Sequence, residues 1–145
     1  MFVDASAIVA ILGREQAAGF LLEKIKNARG PIHYSSLAYF EAVVSLARQR
    51  RTAVLGEHAP TPPHLIQEMQ AAAEDFFNQI GAVEMRLPDG VCDTALAAAS
   101  TYGRFVGHPA RLNFGDCFSY AAAKSLKVPL LFVGDDFAKT DMEIA

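Results

Sequence analysis

Four acidic residues that are distant along the chain stand where predicted strands end or where predicted helices begin. Asp4 follows the first predicted strand and Asp136 follows the last, while Glu41 and Asp116 lie in the first two turns of predicted helices. In open α/β sheets, ligands bind outside the carboxyl ends of the strands, so acids in these places are candidates for one shared site. Two carboxylates about 4 Å apart repel by roughly 4 kcal/mol at an effective dielectric of 20, so their convergence calls for a cation.

A site made only of carboxylates favours a hard metal ion. Oxygen ligands without His or Cys select Mg²⁺ or Mn²⁺ over zinc. Such an ion can neutralise phosphate, lower the pKa of a bound water and stabilise a leaving oxygen. Hydrolysis of a phosphodiester bond is the reaction that this arrangement suits best.

Each acid also has a purely structural interpretation. Asp4 and Asp136 are suitable N-caps for the segments that follow them, and Asp116 lies three residues after Asn113, the spacing of a reciprocal capping pair. Glu41 lies on a narrow polar arc of an otherwise apolar helix, which is also the pattern of a solvated stripe. Taken singly, each acid fits the structural interpretation well, and only their combination favours a site.

The motifs of several other enzyme classes are missing. The chain has no GxxxxGK[ST], GxGxxG, GxSxG or HExxH segment, which argues against the common nucleotide-binding, hydrolase and zinc-protease sites. None of the four histidines has an obvious acid or nucleophile partner. Cys92 and Cys117 form no CxxC pair, and their apolar neighbours predict small buried side chains without a disulfide, as suits a reducing cytosol.

Size and charge bound the protein further. A chain of 145 residues that is 52% hydrophobic supports one core, so we predict one domain, residues 1–145. The first residues lack the basic start of a signal peptide, and no apolar run approaches the roughly 18 residues of a membrane span, so we expect a cytoplasmic protein without membrane contact.

The net charge of -3 argues against a general basic coat for nucleic acid. Candidates for local phosphate contacts are Arg48, Arg51, Arg104, Arg111 and Lys124.

Strands and helices alternate along the chain. Short apolar segments predict strands and the 3.6-residue period predicts helices. The predicted strands are residues 1–3, 32–34, 82–85 and 130–133; the predicted helices are residues 7–12, 15–27, 37 to about 50, 65–80, 89–102 and 113–126; and the longer predicted loops are residues 52–64 and 103–111. Such βαβ units predict an α/β fold with a mainly parallel sheet and helices on both faces.

Several segments are similar to one known family. The start FVDASA (2–7), the helix that contains Glu41, and the runs LNFGDCF (112–118), LLFVGDDF (130–137) and TD (140–141) carry the similarity. Together they resemble the VapC toxins of bacterial toxin–antitoxin pairs, which are PIN-domain ribonucleases. Residues 52–86 carry no motif of this family.

The resemblance implies a five-stranded parallel sheet flanked by helices, endonucleolytic cleavage of RNA, a homodimer and inhibition by a cognate antitoxin. It also implies an Mg²⁺ or Mn²⁺ site formed by Asp4, Glu41, Asp116 and one acid of the turn 134–137. Asp136 matches the fourth acid best. Many PIN sequences place two acids with one residue between them here, whereas this chain has Gly134 and then Asp135 and Asp136. The division of labour between Asp135 and Asp136 therefore stays open, and Ser6 and Asp141 are candidate outer-shell members.

Two other functions compete with a metal-dependent endoribonuclease. An enzyme phosphorylated on an aspartate would also place Asp4 after a first parallel strand, although Ser6 stands where many aspartyl phosphatases have a second acid. A non-catalytic partner-binding module would keep the acids only as helix caps. A stability shift on Mn²⁺ addition separates this last case, because caps alone predict none.

Overall fold

The protein folds around a short parallel β-sheet. The computed structural model describes residues 1–145. The strands are β1 (Phe2–Val3), β2 (His33–Ser35), β3 (Val83–Met85) and β4 (Leu130–Leu131). The helices are α1 (Ala5–Leu12), α2 (Ala18–Lys26), α3 (Ser36–Leu55), α4 (Pro63–Ile80), α5 (Val91–Tyr102) and α6 (Phe114–Leu126), with 3₁₀ turns at Arg104–Val106 and Phe137–Lys139.

All strand pairs of the sheet are parallel, in the order β3-β2-β1-β4. Neighbouring side chains of a strand point to opposite faces. Phe2 and Val3 of β1 are both fully buried, so both faces of the sheet are covered, and the predicted α/β architecture is confirmed. The chain moves outward from β1 to β3 and then returns to place β4 on the other side of β1. The carboxyl ends of β1 and β4 therefore flank the switch point of the sheet, where ligands bind in such folds.

The expectation of five strands is wrong by one, because the sheet has four. Where a fifth strand would pair with β4, the structure has only a single parallel bridge between Leu130 and Ile144. The segment between β4 and Ile144 contains a 3₁₀ turn. After this turn, the Thr140 hydroxyl accepts a hydrogen bond from the N–H of Met142 (3.1 Å), which keeps the chain from extending there. Only the last residues are left to extend beside β4.

The helix α3 is longer than predicted. The predicted end near residue 50 and the predicted loop 52–64 are both wrong at this boundary, because α3 continues to Leu55 and ends at Gly56, whose φ of 90° lies outside the helical region. No residue between Arg51 and Leu55 opposes a helix strongly. The helix α4 begins at Pro63, a favoured first position because proline lacks the N–H that would stay unpaired there.

Cys92 and Cys117 are both free, as predicted. Cys117 is buried, but the prediction that Cys92 is buried is wrong, because it lies on the exposed side of the first turn of α5. None of the helices is long and apolar enough to cross a membrane.

Candidate active site

One cleft collects the four predicted catalytic acids. It lies beyond the carboxyl ends of β1 and β4 and has a volume of about 300 Å³. Its lining residues are Asp4, Ala5, Ser6, Val9, Glu41, Ser45, Arg48, Gln49, Asn113, Asp116, Val133, Asp136 and Phe137. The acids come from four separate segments: the end of β1, the helix α3, the first turn of α6 and the turn after β4.

Asp4 is held by the start of α1. The residue is only 3% exposed, and its Oδ2 accepts hydrogen bonds from the Ser6 N–H (2.9 Å) and from the Ser6 hydroxyl (2.5 Å). The same hydroxyl accepts a hydrogen bond from the N–H of Val133 (3.1 Å), which joins the segment after β1 to the segment after β4. Asp4 therefore does cap α1, but with one oxygen only, and Oδ1 accepts no hydrogen bond.

Asp116, at the start of α6, is also held through only one of its carboxylate oxygens. Its Oδ2 accepts from the N–H of Asn113 (2.7 Å), and Asn113 Oδ1 accepts from the N–H of Asp116 (3.1 Å), which is a complete capping box. The capping interpretation of Asp116 is therefore correct as far as it goes. Because the box uses one carboxylate oxygen, the other remains available to the cleft.

Asp136 behaves differently from these two residues. It occupies the N-cap position of the turn Phe137–Lys139, but its side chain makes no capping hydrogen bond. The interpretation of Asp136 as a side-chain cap is therefore wrong. Asp136 lines the cleft, whereas the neighbouring Asp135 does not. The turn thus presents one acid to the cleft and the other elsewhere.

Two carboxylates of the cleft, those of Asp116 and Glu41, have raised pKa values. Burial raises the pKa of Asp116 to about 7, and the negative charges of Asp4, Asp136 and Glu41 act in the same direction, against the Asn113 hydrogen bond that lowers it. Burial also raises the pKa of Glu41, with a second contribution from Asp4. No basic side chain pairs with any of them, since the chain's one salt bridge joins Lys124 to Asp141. The cleft is therefore a concentration of uncompensated negative charge, which a cation would relieve.

The outer-shell candidates separate into two places. Ser6 lines the cleft and bonds Asp4 directly. Asp141 does not line it; its Oδ1 accepts from the Tyr120 hydroxyl (2.6 Å) and its Oδ2 from Lys124 Nζ (2.8 Å). These contacts fasten the C-terminal segment to α6, so Asp141 and Lys124 have a structural role away from the cleft.

Of the five basic residues considered for phosphate contacts, only Arg48 lines the cleft. Arg51 is 9% exposed, and its guanidinium donates to the carbonyls of Gly56 (3.1 Å) and Glu57, which holds the loop after α3. Arg104 lies over the Phe105 ring, 5.6 Å from its centroid, and neither it nor Arg111 borders the cleft. Sequence reasoning missed Asn113, Ser45 and Gln49 as cleft residues; a polar arc on α3 and the capping pair were the available signals.

The donor set fits a hard divalent ion in its chemistry. Four carboxylates surround the cleft and no His or Cys lines it. As the side chains are placed, no three acidic, His or Cys groups form a closed coordination set. Carboxylates without a counter-ion repel one another. Binding of a cation would therefore include rotation of the side chains that no hydrogen bond holds, those of Glu41 and Asp136.

Comparisons with known proteins agree on the family. The family model of the PIN domain matches residues 1–143. A VapC ribonuclease of Rhizobium meliloti is 40% identical over 141 residues, covering 97% of this chain and 98% of that protein. Ribonuclease VapC42 of Mycobacterium tuberculosis is 38% identical over 151 residues, covering 100% and 98%.

A solved structure agrees on the fold. The structure of VapC20 of Mycobacterium tuberculosis, described as a Sarcin-Ricin loop cleaving toxin, superimposes with a TM-score of 0.66 over 99% of this chain and 97% of that one, at 14% identity. Each of these comparisons covers nearly the whole chain. The chain belongs to the PIN domain family and, within it, to the VapC group.

Proposed function

We propose that the protein is an endoribonuclease that depends on Mg²⁺ or Mn²⁺ and acts as the toxin of a toxin–antitoxin pair. The observation that carries the proposal is the meeting of four carboxylates, from four separate chain segments, on one cleft without a basic partner. The relatives named as VapC ribonucleases support RNA as the substrate.

The four acids have distinct places in this proposal. Asp4 and Asp116 are the principal ligands, because each is fixed by a hydrogen bond to one oxygen and has its second oxygen free. Glu41 and Asp136 complete the site directly or through water and orient the attacking water. Asp136 takes the fourth position rather than Asp135, because only Asp136 borders the cleft. The bound ion would supply charge neutralisation at the phosphate and a lowered pKa for its water.

Ser6 and Arg48 support this chemistry without taking part in it. The Ser6 hydroxyl bridges Asp4 and the backbone of Val133, which fixes the distance between the ends of β1 and β4. Arg48 is the basic side chain at the cleft border and would contact an RNA phosphate beside the scissile one.

Partners are part of the same proposal. An antitoxin and a second copy of the chain are expected to cover apolar surface. Four large side chains near α5 and α6 are 57% to 62% exposed and border an apolar groove of about 400 Å³. Exposed apolar patches of this kind mark interaction sites. These side chains are Leu96, Phe105, Val106 and Phe114.

A non-catalytic module remains the competing function, because Asp4 and Asp116 do cap helices. Capping explains neither the gathering of the other two acids nor the raised pKa of Asp116. The aspartyl-phosphate alternative is less favoured, because Ser6 stands where many aspartyl phosphatases have their second acid, and its hydroxyl donates to Asp4.

The test is cleavage of a mixed cellular RNA pool by the purified protein with and without a chelator. We expect discrete fragments with Mg²⁺ or Mn²⁺, none with excess chelator, and full recovery when the cation is restored. Fragment ends identified by sequencing would show that the cuts lie inside the RNA strands rather than at their ends. Equal cutting with and without chelator would overturn the proposal.

The substitutions Arg48→Ala and Arg51→Ala are expected to act on different properties. Loss of Arg48 should raise KM for an RNA oligonucleotide about tenfold and reduce the salt dependence of binding, because one phosphate contact is lost. Loss of Arg51 should lower the free energy of unfolding by about 1–3 kcal/mol, because two loop carbonyls lose their donor. Cleavage kinetics and urea denaturation measure the two effects. An unchanged KM for Arg48→Ala would exclude its role at the phosphate.

A further inference from the structure

Gly115 is buried in the first turn of α6, between Phe114 and Asp116. Its φ is not positive, so its backbone conformation is open to any residue. What sets it apart is the space beside it. A Cβ built on Gly115 would lie 2.8 Å from Cδ and 3.1 Å from Oε1 of Glu41, and closer still to Oε2. The carboxylate of Glu41 thus occupies the place where a side chain of residue 115 would stand.

The other crowded glycines meet a different obstacle. At Gly13 and Gly103 the nearest atoms are the backbone carbonyls of Val9 and Ala99, each from the preceding helix turn. Only at Gly115 is the nearest neighbour a carboxylate from another helix. Glycine inside a helix costs about 0.5–1 kcal/mol relative to alanine, so local helix stability does not favour it here. The close approach of Glu41 is the physical reason for it.

We propose that Gly115 is a positioning residue that sets where the Glu41 carboxylate stands. This inference rests on the proposed function and deepens it. The missing side chain lets Glu41, carried by α3, lie directly against the first turn of α6, which also carries Asp116. A methyl group at residue 115 would push the Glu41 carboxylate away from that turn. Because the displaced atoms are the far end of a flexible side chain, the fold should tolerate the change while the metal site should not.

The first test is Gly115→Ala, with Mn²⁺ binding measured by titration calorimetry and stability by urea denaturation without cation. We expect Mn²⁺ to bind about tenfold more weakly, as for other substitutions that misorient a metal ligand. The free energy of unfolding should be unchanged or higher. Gly19→Ala is the matched control, because Gly19 is also helical and nothing lies within 4 Å of its built Cβ. Its Mn²⁺ affinity should equal that of the wild type.

The second test is rescue by Glu41→Asp. Aspartate is one methylene shorter, so its carboxylate does not reach the place of the new methyl group. In the Glu41→Asp background, Gly115→Ala should therefore cost little further Mn²⁺ affinity, whereas a merely structural role would cost the same in both backgrounds. If the wild type binds Mn²⁺ and Gly115→Ala binds it equally well, only the positioning role is overturned. If the wild type binds no Mn²⁺, the proposed function and the positioning role are overturned together.

Discussion

Replacing Asp116 with asparagine is expected to reduce RNA cleavage by about 100-fold or more, since loss of roughly 3 kcal/mol of charge stabilisation in the transition state corresponds to that factor. Asparagine has the same shape and can still accept the hydrogen bond from the N–H of Asn113, so the capping box at the start of α6 should survive. What is lost is the negative charge that faces the cleft. Single-turnover cleavage of an RNA oligonucleotide with saturating Mn²⁺ measures the effect.

Asp93 provides the matched control for this substitution. It lies in the first turn of α5 as Asp116 lies in the first turn of α6, but it is exposed and does not border the cleft. Asp93→Asn should therefore cut RNA at the wild-type rate. If both variants lose activity equally, the loss comes from removing a negative charge at the start of a helix, and the assignment of Asp116 to a metal site fails.

The position of the site could be predicted because it depends on topology. Asp4 follows β1 and Asp136 follows β4, and parallel neighbours bring their carboxyl ends to one edge of the sheet. The two interpretations of Asp4 and Asp116 were not true alternatives. A carboxylate has two oxygens, so one can cap a helix while the other faces a ligand.

Other features depend on packing between distant elements and could not be predicted. The role of Arg51 changes because α3 runs to Leu55, which brings the guanidinium back to the loop carbonyls that follow the helix. The crowding at Gly115 depends on how closely α3 approaches α6, and no local pattern in either helix reports that distance. The resemblance makes Asp141 a candidate outer-shell member, but its hydrogen bonds to Tyr120 and Lys124 hold it outside the cleft.

The protein is expected to lose stability as the pH rises in the absence of divalent cation. The folded state raises the pKa of Asp116 from its ordinary value of 3.8 to about 7. A carboxyl group with a raised folded pKa contributes stability that is complete below pH 4 and is lost as the pH rises through about 7. At about 1.4 kcal/mol per pKa unit, and reduced for the solvent in an open cleft, the loss is roughly 2 kcal/mol.

The difference in unfolding free energy between Asp116→Asn and the wild type isolates this effect from the other titrating groups. At pH 4 the two proteins should be about equally stable. At pH 8 without cation the variant should be more stable by roughly 2 kcal/mol, because asparagine cannot ionise. Saturating Mn²⁺ should reverse the order, since an ion bound only by the folded wild type adds RT ln(1 + [L]/Kd). Helix caps without a metal site predict no such reversal, so urea denaturation at two pH values with and without Mn²⁺ separates the two functions without any RNA substrate.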